Sequence, residues 1–430
     1  MLPIFFDFQR PNPTTWFYFS AILVVAMLFR FNKVFCLRNL DLITLYGPMP
    51  GYLLLVSRSG SGEISQTLGY GILVGWSIYF VFRCLVDMGL EYRPSHIANL
   101  NTAGLSWLCI ALFISLVGIS LVPPEENSIG PGISKFPVEK IRAHGDFAIG
   151  VKASESLSQV RLWTERGLSL ACQLGIVSGL ILVTWRFFVN WESGMAAAAC
   201  HLVLPYSFLL TPHNEWGIGR WEDPWLMVLL LHAIFFCRKP MTAGFFVGIA
   251  IGSLIFPLVV LTAWIGFFRG RERYRFLVGV LSMSLGTLCL VLMGGLVEPW
   301  RLSPDWLPWN EPLATSRSIW HSVPWAWAYR LPVFILHGIL IVLALFWPQP
   351  KHIGHLIAQN TLLLACTQWW LGDKGGAHIL WYLPMFLLLV FRPSLAGGDP
   401  DYDFLKFEKR IIAKFQRWCN SKRLWLLRIF

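Results

Sequence analysis

The sequence predicts an all-α protein, a polytopic transmembrane helical bundle of about 13 membrane segments. Three observations carry that prediction. The 430 residues are 55% hydrophobic and only 14% charged, with a mean hydropathy of +0.56. A soluble domain carries roughly 25% charged residues. Apolar runs recur at the roughly 20-residue length that crosses a bilayer core, and they are continuous where a β-barrel would alternate. The formal net charge of +11 gathers in one set of connecting loops, as the positive-inside rule expects. The same composition excludes collagen, coiled coil and disorder.

Taken along the chain, spans are predicted at 14–31, 67–86, 102–122, 168–188, 193–212, 275–297, 330–348 and 354–371. Shorter ones lie at 41–57, 224–237 and 377–391. The first span lacks a basic start and a small-residue cleavage site, so it is expected to stay in the membrane. The 41–57 segment contains Tyr46-Gly47-Pro48-Met49-Pro50-Gly51 and must kink or split there. Residues 241–268 form one long apolar run with Pro257 at its middle. Arg238 and Lys239 precede it; Arg269, Arg271, Arg273 and Arg275 follow. Basic flanks at both ends predict a hairpin with both ends cytoplasmic. Each limb of about 13 residues is about 20 Å long, short of a core of about 30 Å. The neighbouring span, Trp225 to Cys237, is equally short. Short helices side by side leave the outer half of the membrane unfilled, and a water-filled or lipid-open cavity is expected there.

Residues 1–395 are therefore expected to form a transmembrane domain with external loops at 123–166, 211–223 and 298–329, plus the short turn Gly372–Gly376. Residues 396–430 are expected to form a basic amphipathic cytoplasmic tail. Phe404, Phe407, Ile411, Phe415 and Trp418 make a helical stripe there, suited to anionic lipid. The expected location is the cytoplasmic (inner) membrane, multi-pass, with the N-terminus outside and the C-terminus cytoplasmic. Membrane lipids are expected partners and nucleic acid is not; the sequence sets no oligomeric state. The nine cysteines show no CxxC, and no disulfide is expected.

No Walker loop, HExxH or GxSxG is present, so any chemistry must sit at the membrane face. The densest polar segment is 211–225. Glu215, Glu222 and Asp223 are candidate catalytic carboxylates, with His213 and Arg220 between them and Trp216, Trp221 and Trp225 around them. A carboxylate at the mouth of an apolar cavity makes a good general base, and an adjacent arginine suits a phosphate. Asp223 before Pro224 equally suits a helix N-cap and first helical position. The loop 298–329 holds tryptophans at 300, 306, 309, 320, 325 and 327. Arg301, Trp306, Trp309 and Arg317 are its candidate substrate-binding residues, by phosphate pairing and sugar stacking; interfacial anchoring is the simpler role. Asp373 and Lys374, in the glycine-rich turn, are candidates too, or merely a polar turn between helices. His232 and His337 are expected to be hydrogen-bonded packing residues, and Asp41 a helix cap or a partner of Arg38. No metal ligand set is seen and no cofactor is expected.

The order of short polar loop, apolar helix, Arg238-Lys239-Pro240, Ala243-Gly244, Gly248, Phe256-Pro257, apolar limb and basic cluster over residues 222–290 carries a family likeness. It resembles the central hairpin of the GT-C superfamily of integral-membrane glycosyltransferases. It is most similar to the polyprenyl-phosphate-mannose-dependent mannosyltransferases of glycosyltransferase family 87. The resemblance implies a sugar transferred from a polyprenyl-phosphate donor to a lipid-linked or envelope glycan acceptor on the external face. It also implies an Asp or Glu base, inversion at the sugar carbon and a cationic site for the leaving phosphate. Leu254 stands where the family often has a lysine, and the first external loop offers no matching acid. Two other classes stay open. One is a non-enzymatic membrane protein: a degenerate relative, a lipid or glycan binder, or a scaffold. The other is a transporter, for which the spans lack paired acids and bases and evident inverted repeats.

Overall fold

Every regular element that the computed structural model describes is helical. The described residues are 12–56, 63–89, 98–121, 155–208, 221–254, 256–293, 309, 318–320 and 323–393. The helices are α1 (Pro13–Leu28), α2 (Leu37–Thr44), α3 (Met49–Val56), α4 (Glu63–Gly89), α5 (Thr102–Leu121), α6 (Glu155–Val183) and α7 (Trp191–Val203). They continue as α8 (Glu222–Phe235), α9 (Pro240–Ser253), α10 (Leu261–Phe267), α11 (Gly270–Met293), α12 (Ala326–Phe346), α13 (Ile353–Trp370) and α14 (Leu383–Phe391). Four stretches are long and apolar enough to cross a membrane: Gln66–Gly89, Thr102–Ser120, Arg166–Phe188 and Ala326–Phe346. The stretches Pro13–Leu28, Asp223–Phe235, Pro240–Ser253 and Phe256–Phe267 are apolar but shorter.

Local chemistry sets many of the boundaries. Asn12 caps α1, its side chain accepting the Thr14 N–H at 2.9 Å, with Pro13 opening the first turn. Asn190 caps α7 through the Ser193 N–H at 3.0 Å. The 41–57 segment breaks as its prolines demand, α2 ending at Thr44 and α3 starting at Met49.

Several predicted bounds are corrected. The 193–212 span is broken at Leu204, where Pro205 follows the end of α7 and opens the short helical turn Pro205–Phe208; residues 209–212 lie outside the described residues. The 123–166 loop ends early, because α6 already begins at Glu155. Its first turns, Glu155 to Gly167, are polar but free of proline, so hydropathy alone missed them. α4 likewise starts at Glu63, and α12 starts at Ala326, inside the predicted 298–329 loop.

Two ends of the bundle differ in character. At one end Arg83 clasps Asp41 bidentately, Nε to Oδ1 at 2.7 Å and Nη2 to Oδ2 at 2.8 Å. Asp87 joins through Arg83 Nη1 at 3.2 Å and Arg392 Nη2 at 2.8 Å. All four groups are buried, and charges are tolerated at such a place only when paired. Asp41 thus pairs with Arg83 across α2 and α4, which corrects the expected cap. At the same end Arg186 lies 4.9 Å over the Phe235 ring, and Arg269 donates to Gln349 at 3.0 Å. Lys351 donates to the Ala344 and Ala263 carbonyls. Here α9 begins and α10 ends.

Residues 240–267 rise from this end and return to it, as the basic flanks predict. The limbs do not form a self-packed pair, however: α9 packs along α11, and α10 packs on α12. Gly244, Gly248 and Gly252 explain the first contact. A methyl there would run into the Phe276 carbonyl, the Val280 carbonyl and the Thr287 side chain respectively. Small residues at a spacing of four let two backbones touch, the packing that membrane helices favour.

The turn at the top of this hairpin lies near the middle of the taller helices. α4 has 27 residues, about 40 Å at 1.5 Å each. The loop leaving α13 meets α4 at Leu73 and Val74, where a methyl on Gly376 would touch both, and Trp369 Nε1 donates to Ser77 Oγ at 2.9 Å. Leu73 is about 15 Å below the start of α4. α12 overtops the same loop, because Trp370 packs on Phe334 and donates to His337 Nδ1 at 2.9 Å, well after Ala326. α6 also overtops it: Gly175 faces Val228 and Gly179 faces Leu231, so Asp223 stands level with about residue 170. Thus α8, α9, α10 and α14 run only between the charged end and this middle level, while α4, α6 and α12 continue past it.

Candidate functional site

Asp223 lies in the first turn of α8, at the middle level. The helix begins at Glu222 with Trp221 as N-cap, and no side chain caps it. The N-cap expectation for Asp223 is thereby corrected: its carboxylate turns across the bundle instead. Oδ1 accepts the Trp381 indole N–H at 2.8 Å and sits 3.2 Å from His378 Nδ1. Oδ2 receives no hydrogen bond from the described residues. The residue is 8% exposed.

The partners come from the segment between α13 and α14. His378, Trp381 and Phe256 form a three-ring stack, with Trp381 3.9 Å from Phe256 and 4.0 Å from His378, centroid to centroid. Phe256 belongs to the hairpin turn, so the stack joins the α9–α10 corner to the α13–α14 corner. Tyr52 of α3 donates to the Ala377 carbonyl at 2.7 Å, and Gln368 Oε1 accepts the Gly376 and His378 N–H groups at 3.0 and 3.3 Å. Trp225 Nε1 donates to Ser253 Oγ at 3.3 Å, tying α8 to the top of α9. Lys374 (φ +51°) and Gly376 (φ +91°) both occupy the left-handed region, which the tight glycine-rich turn requires.

Of the residues singled out in the sequence, Asp223 lies in the site, and Asp373 and Lys374 stand in the turn that leads to His378. Glu222 adjoins Asp223 on the α8 backbone. Trp309 is exposed. His213, Glu215, Arg220, Arg301, Trp306 and Arg317 lie outside the described residues, as do most of the loop 123–166 and the tail 396–430. His232 and His337 are hydrogen-bonded, to the Val228 carbonyl at 2.8 Å and to Trp370. Sequence reasoning missed His378, Trp381 and Gln368, and read Phe256 only as part of the hairpin motif and not as a site residue. One signal existed for His378: a polar residue just past a glycine-rich turn at the head of an apolar segment. Its pairing with a carboxylate 155 positions away had no sequence signal.

The arrangement can accept a proton: one oxygen is tied and the other carries no hydrogen bond from the described residues. Among those residues no three His, Cys, Asp or Glu side chains converge as metal ligands would. Compared with known protein families, curated proteins and solved structures, the chain has no match.

Proposed function

We propose that the protein is a GT-C-type membrane glycosyltransferase. It transfers a sugar from a polyprenyl-phosphate donor, mannosyl or a related hexosyl, to a lipid-linked or envelope glycan acceptor. It spans the cytoplasmic membrane in about 13 segments, with the charged end cytoplasmic, the N-terminus outside and the tail inside. The single observation that carries this reading is the Asp223–His378–Trp381 cluster, held where four short helices stop halfway along taller ones. A donor lipid needs such a place, where its sugar-phosphate meets protein below the bilayer surface.

In this reading Asp223 Oδ2 takes the proton of the acceptor hydroxyl. The acceptor oxygen bonds to the anomeric carbon as the carbon–phosphate-oxygen bond breaks, with inversion, and the electron pair leaves with the polyprenyl phosphate. Trp381 and His378 keep the base oriented. The leaving phosphate is met by cations from Lys374, Arg220, Arg301 and Arg317, with His213, Trp306, Trp309 and Asp373 around the sugars.

The test is transfer from radiolabelled polyprenyl-phosphate sugars by the full chain in liposomes. Wild type turns over, and Asp223→Asn lowers kcat by about 100-fold or more, the scale of a lost general base. No turnover with any donor removes the enzyme reading. Full activity in Asp223→Asn removes this base and returns the role to Glu215 or Glu222, through Glu215→Gln and Glu222→Gln.

A further inference from the structure

The amide of Gln368 is placed in a way that its own packing does not explain. The residue lies in the last turn of α13 and is fully buried, at 0% exposure. Its Oε1 accepts two backbone N–H groups, from Gly376 at 3.0 Å and His378 at 3.3 Å. These donors fix the orientation of the amide, since a flipped amide would set its NH2 against two N–H groups. Nε2 is then buried without a partner among the described residues. A buried donor left unpaired is costly and calls for a reason.

The reason lies one residue outward. His378, whose N–H is clamped, carries the ring that meets Asp223 at 3.2 Å and stacks on Trp381, the other donor to Asp223. The turn that delivers His378 passes through Lys374 and Gly376 with positive φ, a conformation that needs holding from outside. We infer that Gln368 is a positioning residue for the base. By gripping two backbone amides it sets the height and rotation of His378, and through it the direction of Asp223 Oδ2. This inference rests on Asp223 being the base.

Two measurements on the full chain in liposomes test it. The first is the rate at which His378 is carbethoxylated by diethylpyrocarbonate, read by mass spectrometry and needing no substrate. Gln368→Met, similar in length but without the acceptor, exposes His378 and speeds its modification about fivefold. Gln368→Glu, which keeps an acceptor oxygen, returns the rate to near that of wild type. The second is sugar transfer from radiolabelled polyprenyl-phosphate mannose. Gln368→Met lowers kcat about tenfold with the donor KM within about twofold, and Gln368→Glu recovers most of the loss. Should Gln368→Met not fold, Gln368→Asn, polar but one methylene too short, carries the same expectations.

Unchanged His378 reactivity in Gln368→Met overturns the clamp. A rise in KM at constant kcat overturns the positioning role. If wild type transfers no sugar, the glycosyltransferase reading has failed, and the carbethoxylation rates alone decide whether Gln368 holds His378.

Discussion

At the scale of the residue, the site depends on how one carboxylate is divided between its two oxygens. Oδ1 of Asp223 is occupied by Trp381 and His378, while Oδ2 receives no hydrogen bond from the described residues, which is where the proposed reaction would place the acceptor hydroxyl. Removing the indole N–H while keeping the ring tests this. Trp381→Phe preserves the stack on Phe256 but loses one charge-assisted hydrogen bond, worth about 1.5–3 kcal/mol. Sugar transfer is expected to fall about tenfold or more, measured as kcat, with a loss of thermal stability no larger than that one hydrogen bond. A second residue prediction concerns His352 at the charged end, outside the membrane-spanning segments. Its Nδ1 accepts the His355 N–H at 3.3 Å and caps α13, which requires the neutral ring. Burial of part of the ring, with the stacked His355 and the Arg392 guanidinium, holds His352 down at about 4. Because its folded pKa lies below the unfolded value of about 6.5, its contribution is present above pH 6.5 and lost as pH falls toward 4. Thermal melts in detergent should show a loss of about 1 kcal/mol from this group over that window, and His352→Ser, a cap that does not titrate, should reduce the pH dependence by that share. Parallel curves would reject this. The sequence made Asp223 visible, because three acids crowd into 215–223. It hid His378, because that pairing depends on a loop folding back from another part of the chain.

At the scale of the element, short helices and small residues decide the architecture. The limbs 240–253 and 261–267 were readable from length and basic flanks, and α8 from its 14 apolar-rich residues. Which helix each limb packs on was not readable. A stripe of glycines says that a backbone comes close without saying whose. The Gly248→Leu substitution tests the α9–α11 contact, since a side chain there meets the Val280 carbonyl and Met283. Overpacking of this kind costs about 1–3 kcal/mol. The melting temperature in detergent should fall clearly, while Gly286→Leu, at an open position on α11, should change it little. Equal effects at the two sites would count against the packing described. Polar first turns, as at the start of α6, were missed because hydropathy marks only the stretch that fits in lipid.

At the scale of the whole molecule, the charged end and the middle level define a direction. Arg83, Arg392, Arg186, Arg269 and Lys351 gather at one end, and Asp223 lies well above them. The sequence announced apolar helices of membrane-spanning length through its composition, and announced the short helices of residues 222–267 through their length. It could not announce the ring stack joining the two corners, a product of tertiary packing alone. The central claim is that a lipid-linked sugar is received at this middle level. The most direct measurement is photo-crosslinking of the full chain in liposomes with a polyprenyl phosphate bearing a diazirine beside the phosphate, mapped by mass spectrometry. The account predicts adducts on the peptides holding Asp223, Phe256 and His378–Trp381, displaced by unlabelled polyprenyl-phosphate sugar. Adducts confined to the outward apolar face of α12, at Ile335, Ile339 and Val342, and insensitive to that competitor, would contradict it.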